Sequence, residues 1–174
     1  MDLDQRCGPI SLILSDVDGV LTDGKIVLDN QGIEAKQFDV RDGQGVQLWK
    51  KAGYRFGLIT KRSSRVVQVR SDELGIDLIR QGTEDKLAAL GGMMAELELE
   101  PQQICYVGDD LPDLPVVRAV GLGVAVADAC EELRAAADYV TTAAGGCGAI
   151  RETIERILKA QRRWQDVIQA YLEP

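Results

Sequence analysis

The sequence predicts an α/β fold, a doubly wound parallel sheet with a projecting β-hairpin, and three observations carry that prediction. From Ser11 onward, apolar runs of strand length alternate with amphipathic stretches of helical length, the pattern of successive βαβ units. The 174 residues are 45% hydrophobic, enough for one core, so a single domain over 1–174 is expected. One section breaks the rhythm: two strand-like runs flank Asp29-Asn30-Gln31-Gly32, a turn sequence that signals a hairpin.

In chain order, the first strand is the apolar run at 11–15, and the hairpin follows over 25–40, with strands at 25–28 and 34–40. Residues 44–51 read as a helix and 55–60 as the next strand; 63–74 is helical and 77–79 extended. A helix over 84–97 leads to a strand at 103–107, a helix at 111–120 to a strand at 122–126, and a helix at 130–137 to a strand at 139–141. The last elements are a helix at 148–160 and a tail over 162–174. In that tail Trp164, Val167, Ile168, Tyr171 and Leu172 recur at helical spacing, an apolar stripe that needs a partner surface. No internal repeat or low-complexity segment interrupts the pattern.

Composition narrows the function. A formal charge of −8 argues against nucleic acid, whose binding rests on basic surface. No apolar stretch approaches the length needed to span a bilayer, so a soluble, cytoplasmic protein with no membrane partner is expected. The four cysteines form no C-x-x-C pair and read as free thiols, most of them buried. The chain has no histidine, which removes Ser-His-Asp triads, Cys-His dyads and nearly all catalytic zinc sites. Carboxylates, Lys, Arg and hydroxyls must therefore carry any chemistry.

Two acidic clusters stand where those groups would act. The first apolar strand runs into Asp16-Val17-Asp18-Gly19, which places two carboxylates at its carboxyl end, the ligand-binding edge of an open α/β sheet. Asp-Gly pairs also make ordinary turns. A second cluster, Gly108-Asp109-Asp110-Leu111-Pro112-Asp113, follows another apolar strand and decides between these readings. Two such clusters at neighbouring strand ends would repel unless a cation lay between them. Ligation by oxygen alone points to Mg²⁺ rather than zinc. Thr60 closes another strand and Lys86 opens a helix; together with the acids they make a phosphate site.

The order Asp-x-Asp-Gly, Thr, Lys, Gly-Asp-Asp-x-x-Asp resembles the four signature motifs of the haloacid dehalogenase superfamily over nearly the whole chain. The segments from Asp16 to Gly24, from Phe38 to Gly43 and from Gly145 to Glu152 look more narrowly like the 3-deoxy-D-manno-octulosonate 8-phosphate phosphatases. That resemblance implies a Mg²⁺-dependent phosphomonoesterase with a Rossmann-like core. Asp16 would be the nucleophile, and Asp18 the acid and then the base. Asp16 and Asp109 would ligate Mg²⁺ by side chain and Asp18 by its carbonyl, with Asp110 and Asp113 supporting the cluster. Thr60 and Lys86 would hold the transferring phosphoryl group.

The resemblance also implies a substrate and an assembly. The spacings from Asp16 to Thr60 and from Thr60 to Lys86 leave no room for an inserted cap domain. Capless relatives form homotetramers in which a neighbour's tail closes the site. The expected substrate is a small phosphorylated 2-keto-3-deoxy sugar acid, with Arg62 and Arg70 as candidates for its carboxylate. Lys61 stands where the family's Thr-Gly-Arg motif has Gly. Phosphatases of the nine-carbon acid KDN 9-phosphate tend to carry Glu at the position of Arg62, so the eight-carbon acid is favoured.

Two rival readings belong to other classes. A receiver domain of two-component signalling also combines acids, Mg²⁺, Thr and Lys, but has no second acidic cluster after the Lys. A non-catalytic module partnering an acylneuraminate cytidylyltransferase would not need every catalytic carboxylate, and all are present here.

Overall fold

The computed structural model describes residues 2–172. Six strands form one parallel sheet: β1 (Leu12–Ser15), β4 (Arg55–Ile59), β5 (Leu78–Arg80), β6 (Ile104–Gly108), β7 (Leu122–Ala125) and β8 (Tyr139–Val140). Their order is β5-β4-β1-β6-β7-β8. Every residue of β1 and β6 is buried, as expected for parallel strands covered on both faces. The chain winds outward from β1 through β4 to β5, then crosses back to place β6 on the other side of β1. The reversal makes the carboxyl ends of β1 and β6 a topological switch point.

Helices α1 (Leu3–Cys7), α2 (Val40–Lys51), α3 (Arg65–Leu74), α4 (Lys86–Leu97), α5 (Leu114–Val117), α6 (Glu131–Ala136), α7 (Ala149–Ala160) and α8 (Trp164–Leu172) accompany the sheet. The pairing of α2 with α7 is the most extensive helix contact. Trp49 of α2 is buried in the core, and its indole N–H is satisfied by the Arg55 carbonyl at 2.7 Å. No cap domain is inserted, and no described helix is long and apolar enough to cross a membrane.

Four expectations need correction. The hairpin pairs only β2 (Val27–Leu28) with β3 (Glu34–Ala35), and the predicted strand at 34–40 ends early because Asp39 caps a helix, accepting the Arg41 N–H at 2.6 Å. That cap starts α2 at Val40 rather than at 44. The helix expected over 111–120 splits into a 3₁₀ turn, Leu111–Asp113, and the short α5, since Pro112 and Pro115 restrict the backbone there. The cysteines are free, but only Cys7 and Cys105 are buried; Cys147 is exposed. Helix α1 was not foreseen, although its capping box of Asp2 and Gln5 is a legible start signal.

The turn of the hairpin follows its sequence. The Asp29 carboxylate accepts the Gln31 and Ile33 N–H groups at 2.8 Å each, and Gly32 takes the positive φ of 77° that the turn requires. The tail forms α8, in which Trp164 and Val167 pack on the core while Ile168, Tyr171 and Leu172 remain exposed. Glu173 and Pro174, also part of the expected tail, lie outside the described residues.

Candidate active site

Asp16 follows β1 directly, and its N–H donates to the Val107 carbonyl of β6 at 3.0 Å, so the two strand ends are tied together at the loop after β1. Gly19, at φ 89°, brings that loop against Asp109 so closely that a Cβ would overlap the carboxylate. The carboxylates of Asp16, Asp109 and Asp113 thereby each offer an oxygen within 4.8 Å of the other two.

Lys86 is the counter-charge. It stands at the first position of α4 with its side chain only 3% exposed, and its Nζ lies 2.8 Å from Asp16 Oδ2 and 2.6 Å from Asp113 Oδ1. Asp113 is held further by the Tyr106 hydroxyl at 2.6 Å and by the Asp109 and Asp110 N–H groups at 3.0 and 3.4 Å. With both oxygens occupied, Asp113 anchors Lys86 and the loop after β6.

One lysine does not balance three clustered acids. Burial, followed by the charge of Asp113, pushes the Asp16 carboxyl up against the pull of Lys86. Burial and then the charges of Asp113 and Asp16 raise Asp109 as well. Burial alone would lower the Lys86 ammonium, but Asp16 and Asp113 outweigh it and the net shift is upward. A carboxylate cluster so strained in its own charge, with oxygen-only donors, fits a hard divalent cation.

The remaining expected residues have different surroundings. Thr60 is buried at the end of β4, where its N–H donates to the Arg80 carbonyl at 2.9 Å and its carbonyl accepts the Thr83 N–H at 3.1 Å. Asp110 is exposed and caps the 3₁₀ turn through the Leu111 N–H, so it shapes the loop rather than joining the cluster. Lys61 pairs with Glu84 at 2.9 Å in solvent. Arg70 packs between α3 and α2, over the Phe38 ring and paired with Glu73 at 2.8 Å, and its partners are not members of the acidic cluster.

Asp18 and Arg62 belong to a network that the sequence did not disclose. One Asp18 oxygen accepts from Lys36 and the other lies 3.6 Å from Arg62 Nε. Lys36 also pairs with Glu34 at 3.2 Å, and Glu34 in turn accepts from Arg62 at 2.7 Å and from the Ser64 hydroxyl at 2.5 Å. The Ser64 hydrogen bond, helped by Arg62 and Lys36 and opposed by burial, lowers the Glu34 carboxyl to about 2. A depressed folded value stabilises the ionised form, so this contribution is present above the ordinary 4.5 and is lost as pH falls toward about 2. The available signal was the two-residue spacing of Glu34 and Lys36, which puts both on one face of an extended segment. Tyr106 was missed for a different reason: it sits inside an apolar run that reads as core.

The segments that carried the narrower resemblance have structural duties. Asp39 caps α2, and Asp42 accepts the Gly148 and Arg151 N–H groups at 3.2 and 2.8 Å, joining α2 to the start of α7. Gly145 lies against the Gly19 carbonyl, where no side chain would fit, so the glycine-rich loop packs on the loop that follows β1.

Comparison with known proteins agrees with this geometry. The sequence pattern of the haloacid dehalogenase-like hydrolases matches residues 59–152. The 3-deoxy-D-manno-octulosonate 8-phosphate phosphatase of Yersinia pestis is 46% identical over 160 residues, covering 92% of this chain and 86% of that protein. The solved structure of the phosphatase of that name from Moraxella catarrhalis, in complex with magnesium ion, phosphate ion and KDO, superposes with a TM-score of 0.94. It is 46% identical, with 97% of each chain covered. A cobalt-bound deoxy-D-mannose-octulosonate 8-phosphate phosphatase from Haemophilus influenzae superposes with a TM-score of 0.92 at 37% identity, over 97% of this chain and all of that one. With its carboxylates and Lys86 gathered at the β1–β6 switch point, the chain belongs to the 3-deoxy-D-manno-octulosonate 8-phosphate phosphatase family of haloacid dehalogenase-like hydrolases.

Proposed function

We propose that this protein hydrolyses 3-deoxy-D-manno-octulosonate 8-phosphate to the free sugar acid and phosphate, with Mg²⁺ as cofactor. The observation that carries the reading is the placement of Asp16 between Lys86 and the acidic group of Asp109 and Asp113, at the ligand-binding edge of the sheet.

Asp16 and Asp109 would hold Mg²⁺ through their side chains and Asp18 through its carbonyl, with Asp113 behind them. When bound, the ion supplies charge neutralisation for the phosphoryl oxygens and the carboxylates. A carboxylate oxygen of Asp16 attacks phosphorus, the bond from phosphorus to the sugar oxygen breaks, and Asp18 delivers its proton to that oxygen. Asp18, now ionised, takes a proton from water as the water oxygen attacks phosphorus. The bond between Asp16 and phosphorus then breaks, releasing phosphate and restoring the aspartate. Lys86 and Thr60 hold the phosphoryl oxygens through both steps, and Lys86 also opposes the upward push of burial and Asp113 on the Asp16 carboxyl. Arg62 would take the substrate carboxylate, with Arg70 and Lys61, which now pair with Glu73 and Glu84, as further candidate cations after β4.

The exposed side chains of the hairpin and α8 support a homotetramer in which neighbouring tails close the capless site, and the proposed setting is cytoplasmic. Ile26, Val27, Leu28 and Ile33 are each 50–61% exposed, and Tyr171 and Leu172 are exposed likewise. Light scattering should give about four times the 19.0 kDa chain mass at assay concentration, and a fully active monomer would refute the shared site.

The substrate is tested by phosphate release from a panel of phosphorylated sugar acids with Mg²⁺. The eight-carbon 8-phosphate should show a kcat/KM at least about tenfold above KDN 9-phosphate or N-acylneuraminate 9-phosphate. Preference for a nine-carbon acid would move the assignment to that branch, and turnover unaffected by chelation would remove the metal.

A further inference from the structure

We infer that Lys36 of the hairpin is a positioning residue for Asp18, fixing the carboxylate that handles the leaving-group proton; the inference rests on the proposed acid–base role of Asp18. The burial of Lys36 is what calls for explanation. Its side chain is 1% exposed, although the hairpin carrying it leaves Ile26, Val27, Leu28 and Ile33 at least half in solvent. Removing an ammonium from water is costly by several kcal/mol unless it is well paired. Among the described residues its carboxylate partners are Asp18 and Glu34.

Those partners close a ring of alternating charge. Lys36 bridges Asp18 and Glu34, Arg62 bridges Glu34 and Asp18 from the other side, and the Ser64 hydroxyl fixes the second Glu34 oxygen. Each oxygen of Asp18 therefore faces a different cation, so turning the carboxylate plane breaks two ion pairs at once. When Arg62 turns to substrate, the Asp18 oxygen it faced is free to carry the proton, while Lys36 holds the other oxygen in place, and misplacement of a catalytic group by an ångström lowers the rate steeply. Arg62 is half-exposed and is the group expected to turn toward substrate, whereas the Lys36 side chain is buried against Asp18 and Glu34. The hairpin thus carries a working part of the site within its own chain.

The test compares Lys36→Met, Asp18→Asn and the double variant on the sugar phosphate and on p-nitrophenyl phosphate, with Mg²⁺ saturating. Asp18→Asn and Lys36→Met should each lower kcat for the sugar phosphate on the order of 10²-fold and that for p-nitrophenyl phosphate by less than about tenfold, since nitrophenolate needs little protonation. The double variant should be no slower than Asp18→Asn alone, because both act through one group. Lys36→Arg should recover most of the loss. Equal losses on both substrates, or losses that multiply in the double variant, would assign Lys36 to fold maintenance and overturn the inference. If Asp18→Asn itself shows no leaving-group dependence, the acid role fails and the Lys36 inference falls with it. Should Lys36→Met melt well below wild type, the charge-balanced Glu34→Gln/Lys36→Met chain is read by the same criteria.

Discussion

Asp16→Asn should abolish turnover, with kcat reduced on the order of 10⁴-fold or more, while the fold is retained. An amide oxygen is a poor nucleophile toward phosphorus, and two of the nearby carboxylates are already engaged. Asp113 has both oxygens engaged by Lys86, Tyr106 and two backbone N–H groups, and Asp18 is held by Lys36 and Arg62. The amide also removes one of three charges from an over-crowded acidic cluster, so the metal-free variant should melt no lower than the metal-free parent. Activity within tenfold of wild type would end the nucleophile assignment, and a melting temperature well below the parent's would show that Asp16 is needed for folding.

Lys86→Met has a second large effect, on stability as well as rate. The ammonium is the cation shared by Asp16 and Asp113 at the bottom of the site, and its loss leaves those carboxylates buried without it. Breaking a buried ion pair on one side typically destabilises by about 3–5 kcal/mol. Urea unfolding of the metal-free protein should show a loss of that size, and Mg²⁺ should restore part of it by binding the folded cluster. Activity should stay at least about 10²-fold down with the ion present, because a phosphoryl-holding cation is still missing. A variant as stable as wild type without metal would mean that the contacts of Lys86 with Asp16 and Asp113 do not stabilise the fold.

The residues behind both predictions were legible for a simple physical reason. Asp16 and Asp109 stand where unbroken apolar runs stop, and a parallel strand buried on both faces can release a charge only at its end. Lys86 could be placed because Asp85 caps α4, accepting the Ala88 N–H at 2.9 Å, which sets the lysine on the first turn. The doubly wound parallel sheet was legible from the same alternation of runs, although the strand order was not. What stayed hidden depends on contacts between distant segments. Lys36 and Asp18 are far apart in sequence and meet only when the hairpin folds back, and nothing local marks Tyr106 as the hydroxyl that steadies Asp113. Asp110 and Asp113 look equivalent in the run from Gly108 to Asp113, yet the 3₁₀ turn exposes the first and buries the second. Arg70 shows the converse limit: helical spacing puts it on the helix that follows Arg62, while packing against Gly43 and Phe38 turns it to Glu73.

Phosphoryl transfer to Asp16 is the centre of this account, and trapping the phosphorylated protein tests it most directly. Enzyme mixed with substrate labelled in its phosphoryl group and quenched in acid within one turnover should carry label on the peptide containing Asp16. That label should be released by hydroxylamine, as expected of an acyl phosphate, and should be absent from Asp16→Asn. Label on another residue, or phosphate released in step with substrate loss and no label on protein at any time, would contradict it.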